Sequence, residues 1–132
     1  MAGWSYEDCG TPEGTLLIRS ISVTPDPPRP GQGLTIRVGG DLQKLLDDEA
    51  YVEITVKLGL IKVHQKRQTL KEFFAEWGAS VPSATGRFDV EFSKTLPREI
   101  PAAKFKIRLD AFTGREEDAF CLEFTVDFGQ RP

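Results

Sequence analysis

The residues of this chain that could carry chemistry are few and scattered. One histidine, His64, lies in the basic stretch "KVHQKR", and two cysteines, Cys9 and Cys121, sit near opposite ends. A thiolate–imidazole nucleophile needs both side chains within hydrogen-bond reach, and nothing in the sequence places His64 beside either cysteine. One histidine and two remote cysteines are also too few for a structural zinc site. Carboxylates cluster as "LDDE" (46–49) and "REED" (115–118). Both clusters fall in predicted turns without the alternating ligand spacing of a calcium loop, so they read as solvated. "GQG" (31–33) leads into a strand rather than a helix, which contradicts a phosphate-cradling loop. The expectation is a non-enzymatic protein with no metal and no cofactor.

What is in surplus is phenylalanine, nine residues of it. The strand patterns show where those rings go. "DAFCLEFTVDF" (118–128) alternates, with Phe120, Leu122, Phe124, Val126 and Phe128 on one face and Cys121, Glu123, Thr125 and Asp127 on the other. "AKFKIRLDAF" (103–112) does the same with Phe105, Ile107, Leu109 and Ala111, and "TGREED" between the two predicts a hairpin. "GRFDVEFSKTL" (86–96) presents Phe88, Val90 and Phe92; "LTIRV" (34–38) presents Leu34, Ile36 and Val38 until Gly39-Gly40 ends or bulges it.

Upstream, "TLLIRSISVT" (15–24) runs into the rigid, proline-rich "PDPPRPGQG" (25–33). The longest strand candidate is "AYVEITVKLGLIKVHQ" (50–65), with Val52, Ile54, Val56, Leu58 and Leu60 inward and a bend or bulge expected at Gly59. "TLKEFFAEWG" (69–78) spaces Leu70, Phe73, Phe74 and Trp77 as one short helix or turn. About seven strands with almost no helix predict an all-β, two-sheet sandwich.

Bulk properties exclude other classes. Seventeen basic against 20 acidic residues, net −3, give no field that favours nucleic acid. The apolar runs are too short to span a membrane. The opening "MAGWSYEDCG" has no leader-like pattern, and the chain has no asparagine to glycosylate. A cytosolic location is expected if Met1 is native, and a secreted or vacuolar/lysosomal one if a leader was removed. The two cysteines form a bridge in an oxidising compartment and stay reduced in the cytosol; sequence leaves both open. Lys62, His64, Lys66 and Arg67 make a small basic patch beside an apolar segment, a candidate for docking on an anionic membrane.

A face of phenylalanines packs equally well as a closed core or as the wall of an apolar cavity. A cavity would need no polar chemistry to bind: burying about sixteen methylenes at about 0.8 kcal/mol each contributes on the order of 13 kcal/mol.

Several stretches together resemble the ML (lipid-recognition) domain family: "YEDCG", "ISVTPDPPRPGQGLTIRVGG", "AYVEITVKLGLIKV", "LPREIPAAKFKIRLDAF" and "FCLEFTVDF", in family order over nearly the whole chain. The likeness is greatest to its fungal phospholipid-transfer type. The resemblance implies an immunoglobulin-like sandwich, residues 1–132 as one domain, enclosing a lipid between its sheets. It also implies that Cys9 and Cys121 pair, tying the N-terminal strand to the last one. Family members carry a further cysteine pair where this chain has Phe73 and Val81, so an apolar contact is expected in its place.

The candidate lipid wall is Val52, Ile54, Val56, Leu58, Phe73, Phe74, Trp77, Phe88, Phe92, Phe105, Ile107, Leu109, Phe120, Phe124 and Val126. The ligand expected is a phospholipid or a sterol, exchanged in transient contact with a membrane or with a protein that donates or receives it. A second reading is an immunoglobulin-like interaction or co-receptor module with a closed core. Lipid arriving with the purified protein would favour the first, and an empty, tightly packed core the second.

Overall fold

The computed structural model describes residues 3–129. Among them are eight strands and one helix: β1 Trp4–Asp8, β2 Leu16–Thr24, β3 Gly33–Leu42, β4 Tyr51–Leu58, β5 Ile61–Thr69, α1 Leu70–Glu76, β6 Gly86–Thr95, β7 Lys104–Phe112 and β8 Asp118–Asp127. They form two antiparallel sheets, a five-stranded one in the order β1-β8-β7-β4-β5 and a three-stranded one in the order β2-β3-β6. The fold is all-β, two sheets face to face, with one strand more than the seven or so expected. β1, expected only through the family resemblance and not from the residue pattern, pairs with the outer edge of β8 from Trp4 opposite Val126 to Asp8 opposite Leu122.

Two local expectations change. The stretch 50–65 is not one bent strand but a hairpin, β4 and β5 closed by Leu58 opposite Ile61. Gly59 makes the turn at φ +63°, a left-handed conformation that a side chain would strain. The bulge lies just before it, between Val56 and Lys57 in the register, so Val63 is the extra residue of β5. Gly39-Gly40 neither ends nor bulges β3, which runs on to Leu42. Instead β2 bulges between Ile18 and Ser20 and brings its backbone against β3. A Cβ on Gly40 would stand 2.1 Å from the Leu17 carbonyl oxygen, so only glycine admits that approach.

The helix begins where its sequence allows. Thr69 caps α1: its hydroxyl accepts from the Glu72 amide at 3.1 Å while the Glu72 carboxylate accepts from the Thr69 amide at 3.2 Å. The helix thereby drops Leu70 and Phe74 onto the end of the sandwich. There they meet Ala50, Val52, Leu109, Ala111 and Ala119 in a closed core. The three alanines let backbone and helix come close, and Leu70 and Val52 are sealed at 1% and 0% exposure. Phe73 and Val81, at the positions of the absent cysteine pair, both pack against this same core.

The two acidic clusters are partly absorbed here. Asp47 accepts from the Gly114 amide at 3.1 Å, and Glu116 accepts from the Tyr51 hydroxyl at 2.8 Å. The latter bond holds the Tyr51 phenol above its ordinary pKa. Together the contacts tie the β7–β8 turn to the loop before β4 and to the first residue of β4. Cys9 and Cys121 are joined in a disulfide on the outer face of the five-stranded sheet, and it spans 112 residues of sequence.

Candidate functional site

Away from the closed core the two sheets do not collapse onto each other. They enclose a cavity of about 600 Å³, in the range of small-molecule binding sites. Strand alternation decides which side chains reach it. β8 turns Phe120, Leu122, Phe124 and Val126 inward, followed by Phe128; β7 turns Phe105, Ile107 and Leu109; β4 turns Ile54 and Val56. The opposite wall comes from Leu16, Ile18 and Val23 of β2, Leu34, Ile36 and Val38 of β3, and Phe88, Val90 and Phe92 of β6. Phe73, Phe74 and Trp77 close the side where α1 leads toward β6. Edge-on aromatic pairs stiffen this lining: Phe74 with Phe92 at 4.9 Å and Phe105 with Phe128 at 5.9 Å between centroids.

Of the fifteen side chains expected on the wall, the structure brings thirteen to the cavity: Ile54, Val56, Phe73, Phe74, Trp77, Phe88, Phe92, Phe105, Ile107, Leu109, Phe120, Phe124 and Val126. Two lie elsewhere. Val52 points inward but at the sealed end, where it is core rather than wall. Leu58 shares a rung with the lining residue Phe105 but stands beside the β4–β5 turn, outside the lining. The expected wall left out the β2 and β3 residues of the opposite sheet and Val90, Leu122 and Phe128, and it also missed Trp4, Pro28, Leu96, Ile100 and Pro101, all of which line the cavity. Of the last five, only Trp4 carries a periodic signal, its alternation with Tyr6.

The basic patch is also rearranged. The β4–β5 register pairs His64 with Val56, Lys66 with Ile54 and Gln68 with Val52, so these three share the inward face. Lys62, opposite Lys57, and Arg67, opposite Glu53, point outward. The Arg67 guanidinium carbon stands over the Tyr51 ring, 3.8 Å from its centroid, and the side chain faces Glu53 at 3.9 Å. The four side chains thus divide between two faces and do not form one surface. Strand alternation is the reason, and the hairpin had to be recognised before it could be applied.

The inward members make a polar rim on an otherwise apolar cavity. Glu76 accepts from Lys66 at 3.3 Å and from Gln68 at 3.2 Å. Lys94 of β6 stands 5.5 Å from the centre of the Trp77 ring and, with His64, borders the same cavity. The hydrogen bonds from Gln68 and then Lys66 hold the Glu76 carboxyl below its ordinary value of 4.5.

A carboxylate whose pKa is lower in the folded state stabilises the fold above its unfolded pKa, and that contribution is lost as pH falls through the folded one. Wild type is therefore expected to melt above Glu76→Gln at neutral pH, with the difference shrinking once the pH drops below 4.5. Thermal melts of both proteins across that interval check this; a gap that persists in acid would assign the stabilisation to another group.

A two-sheet sandwich with an apolar interior and a polar rim is a container fold, and comparison with known proteins gives it a family. The family model for the ML domain matches residues 3–128. The chain belongs to the ML-domain family. It is 43% identical over 127 residues to the phosphatidylglycerol/phosphatidylinositol transfer protein of Cryptococcus neoformans var. neoformans serotype D, covering 95% of this chain and 71% of the relative. It is 37% identical over 134 residues to the protein of the same name from Mycosarcoma maydis, covering 98% and 68%.

Among solved structures, chicken MD-1 complexed with lipid IVa superimposes with a TM-score of 0.66 at 19% identity, over 94% of this chain and 88% of that one. A Niemann-Pick type C2 protein from Japanese carpenter ant gives 0.66 at 14% identity, over 93% and 98%. At such identities the superpositions speak for the fold alone.

Proposed function

We propose that residues 1–132 form one lipid-binding domain that carries a phospholipid between its sheets and transfers it without covalent chemistry. The observation that carries this reading is the cavity, apolar over the walls contributed by both sheets and polar only along one rim. The acyl portion occupies the wall of Ile54, Val56, Phe105, Ile107, Phe120, Phe124 and Val126. The headgroup lies at the rim, where Lys66 and Lys94 outnumber Glu76 and favour an anionic group, with the His64 ring beside them. The names of the relatives, phosphatidylglycerol/phosphatidylinositol transfer proteins, support the same ligand class. A sterol would use the wall and leave the cations idle.

Loading requires transient contact with a membrane, or with a protein that donates or receives the lipid at the same rim. A closed-core interaction module is not favoured, because a module has no use for so large an apolar void.

The test is native mass spectrometry of the purified protein followed by lipid extraction of the same sample. A bound phospholipid is the expected result. Bound sterol would reassign the ligand, and a protein that neither arrives with lipid nor takes up added phospholipid or sterol would overturn the carrier reading.

A further inference from the structure

Large apolar side chains are exposed at four positions among the described residues, and three of them belong to one hairpin: Leu60 at 99%, Ile61 at 68% and Val63 at 49%. A tip this apolar costs solubility and contributes nothing to the core. Its surroundings indicate what covers it. The last outward rung of the five-stranded sheet before the tip pairs Lys62 with Lys57 and Lys57 with Lys106. All three are exposed. Three neighbouring strands thus present lysine side by side, an arrangement that is repulsive by itself and favourable against an anionic surface. Among the described residues, the one ion pair the row makes is that of Lys106 with Glu123, at 3.9 Å.

The next rung, on the cavity face, runs Ile61, Leu58, Phe105, Val126, Trp4 across all five strands. Its last three members line the cavity. An unbroken apolar strip therefore leads from the exposed tip to the interior.

We infer that the β4–β5 hairpin tip is a membrane-insertion wedge: Leu60 and Ile61 enter the outer layer of an anionic bilayer while Lys57, Lys62 and Lys106 engage lipid phosphates. Apolar insertion and a cationic collar act together at an interface, and neither suffices alone. The strip through Leu58 and Phe105 then offers an acyl chain a dry path into the cavity. Only this last step rests on the carrier reading.

The experiment is co-sedimentation with vesicles of equimolar phosphatidylcholine and phosphatidylglycerol, and with phosphatidylcholine alone. Wild type is expected to bind the anionic vesicles at least about tenfold better than the neutral ones. Leu60→Glu should lose about tenfold or more of that binding. So fully exposed a position leaves its melting temperature unchanged. The paired variant Lys57→Gln/Lys62→Gln should reduce the preference for anionic vesicles toward unity.

Uptake of a short-chain phosphatidylglycerol, presented as monomer in the absence of vesicles, should be the same in wild type and Leu60→Glu. If the folded Leu60→Glu variant binds anionic vesicles as wild type does, the wedge is overturned and the tip is left to a protein partner. If wild type fails to take up the short-chain lipid, the carrier reading fails, while the vesicle result still decides the wedge.

Discussion

Val56→Asp is expected to give a folded protein that no longer retains lipid, with affinity for a fluorescent phospholipid reduced by about a hundredfold or more. Val56 faces inward on β4 between His64 and Ile107, in the middle of the apolar wall. It is only half-buried and does not belong to the sealed core around Val52 and Leu70, so the fold does not depend on it. A carboxylate at this site is tolerable in an empty, hydrated cavity. An acyl chain laid against it strips that water, and an unpaired buried polar group costs at least about 1–3 kcal/mol, more when charged. Each 1.4 kcal/mol is about tenfold in affinity.

A second substitution separates cavity from charge. Val90→Phe fills space from the opposite sheet without adding polarity, and it should lower lipid loading while leaving stability equal or higher. If Val56→Asp is folded and still carries lipid, the wall has been misassigned.

The next largest effect is on stability. Cys9→Ser, or reduction of the bridge in the wild type, is expected to lower the unfolding free energy by about 4–5 kcal/mol, because the bond closes a loop of 112 residues in the unfolded chain. For a chain of this size the melting temperature should fall by something on the order of 15 °C. The loss should be felt first at β1, whose ladder partner is β8 alone and which sits at the sheet edge. Amide exchange should therefore rise at Ser5 and Glu7, whose amides face β8, before it rises in β7. An unchanged melt on reduction would mean that the ladder from Trp4 to Asp8 holds β1 without the bond.

The central strands were legible because they obey one rule. In β7 and β8 every second residue is apolar, the facing positions are polar, and both strands have neighbours on each side, so alternation translates directly into inside and outside. Alternation says nothing about depth along a strand. Val52 and Val56 share a face, yet one is sealed under α1 and the other opens on the cavity. That difference is set by the helix and by Ala50, Ala111 and Ala119, which no periodicity connects.

The rim was illegible for another reason. β5 faces the interior with His64, Lys66 and Gln68, so its inward side reads as solvent-facing, and a strand with such a pattern looks like a charged loop. The β4–β5 turn could have been found from Gly59 together with the apolar residues on both sides of it. The wall segment Leu96 to Pro101 has no regular secondary structure, so no periodicity placed it on the wall, although "LPREIP" carried part of the family resemblance.

The charge on β5 has one more consequence. β5 is the outer strand of the five-stranded sheet, beside a cavity that must stay open, so its far side meets no protein ladder. Exposed edges of this kind invite pairing with a second molecule and growth into fibrils. Two copies aligned along β5 would crowd Lys62, Lys66 and Arg67 of one against the cations of the other. Lys66 borders the cavity while Lys62 and Arg67 point away from it, so the strand that rims the cavity also repels the chain's own copies and can leave its edge unpaired without seeding aggregation.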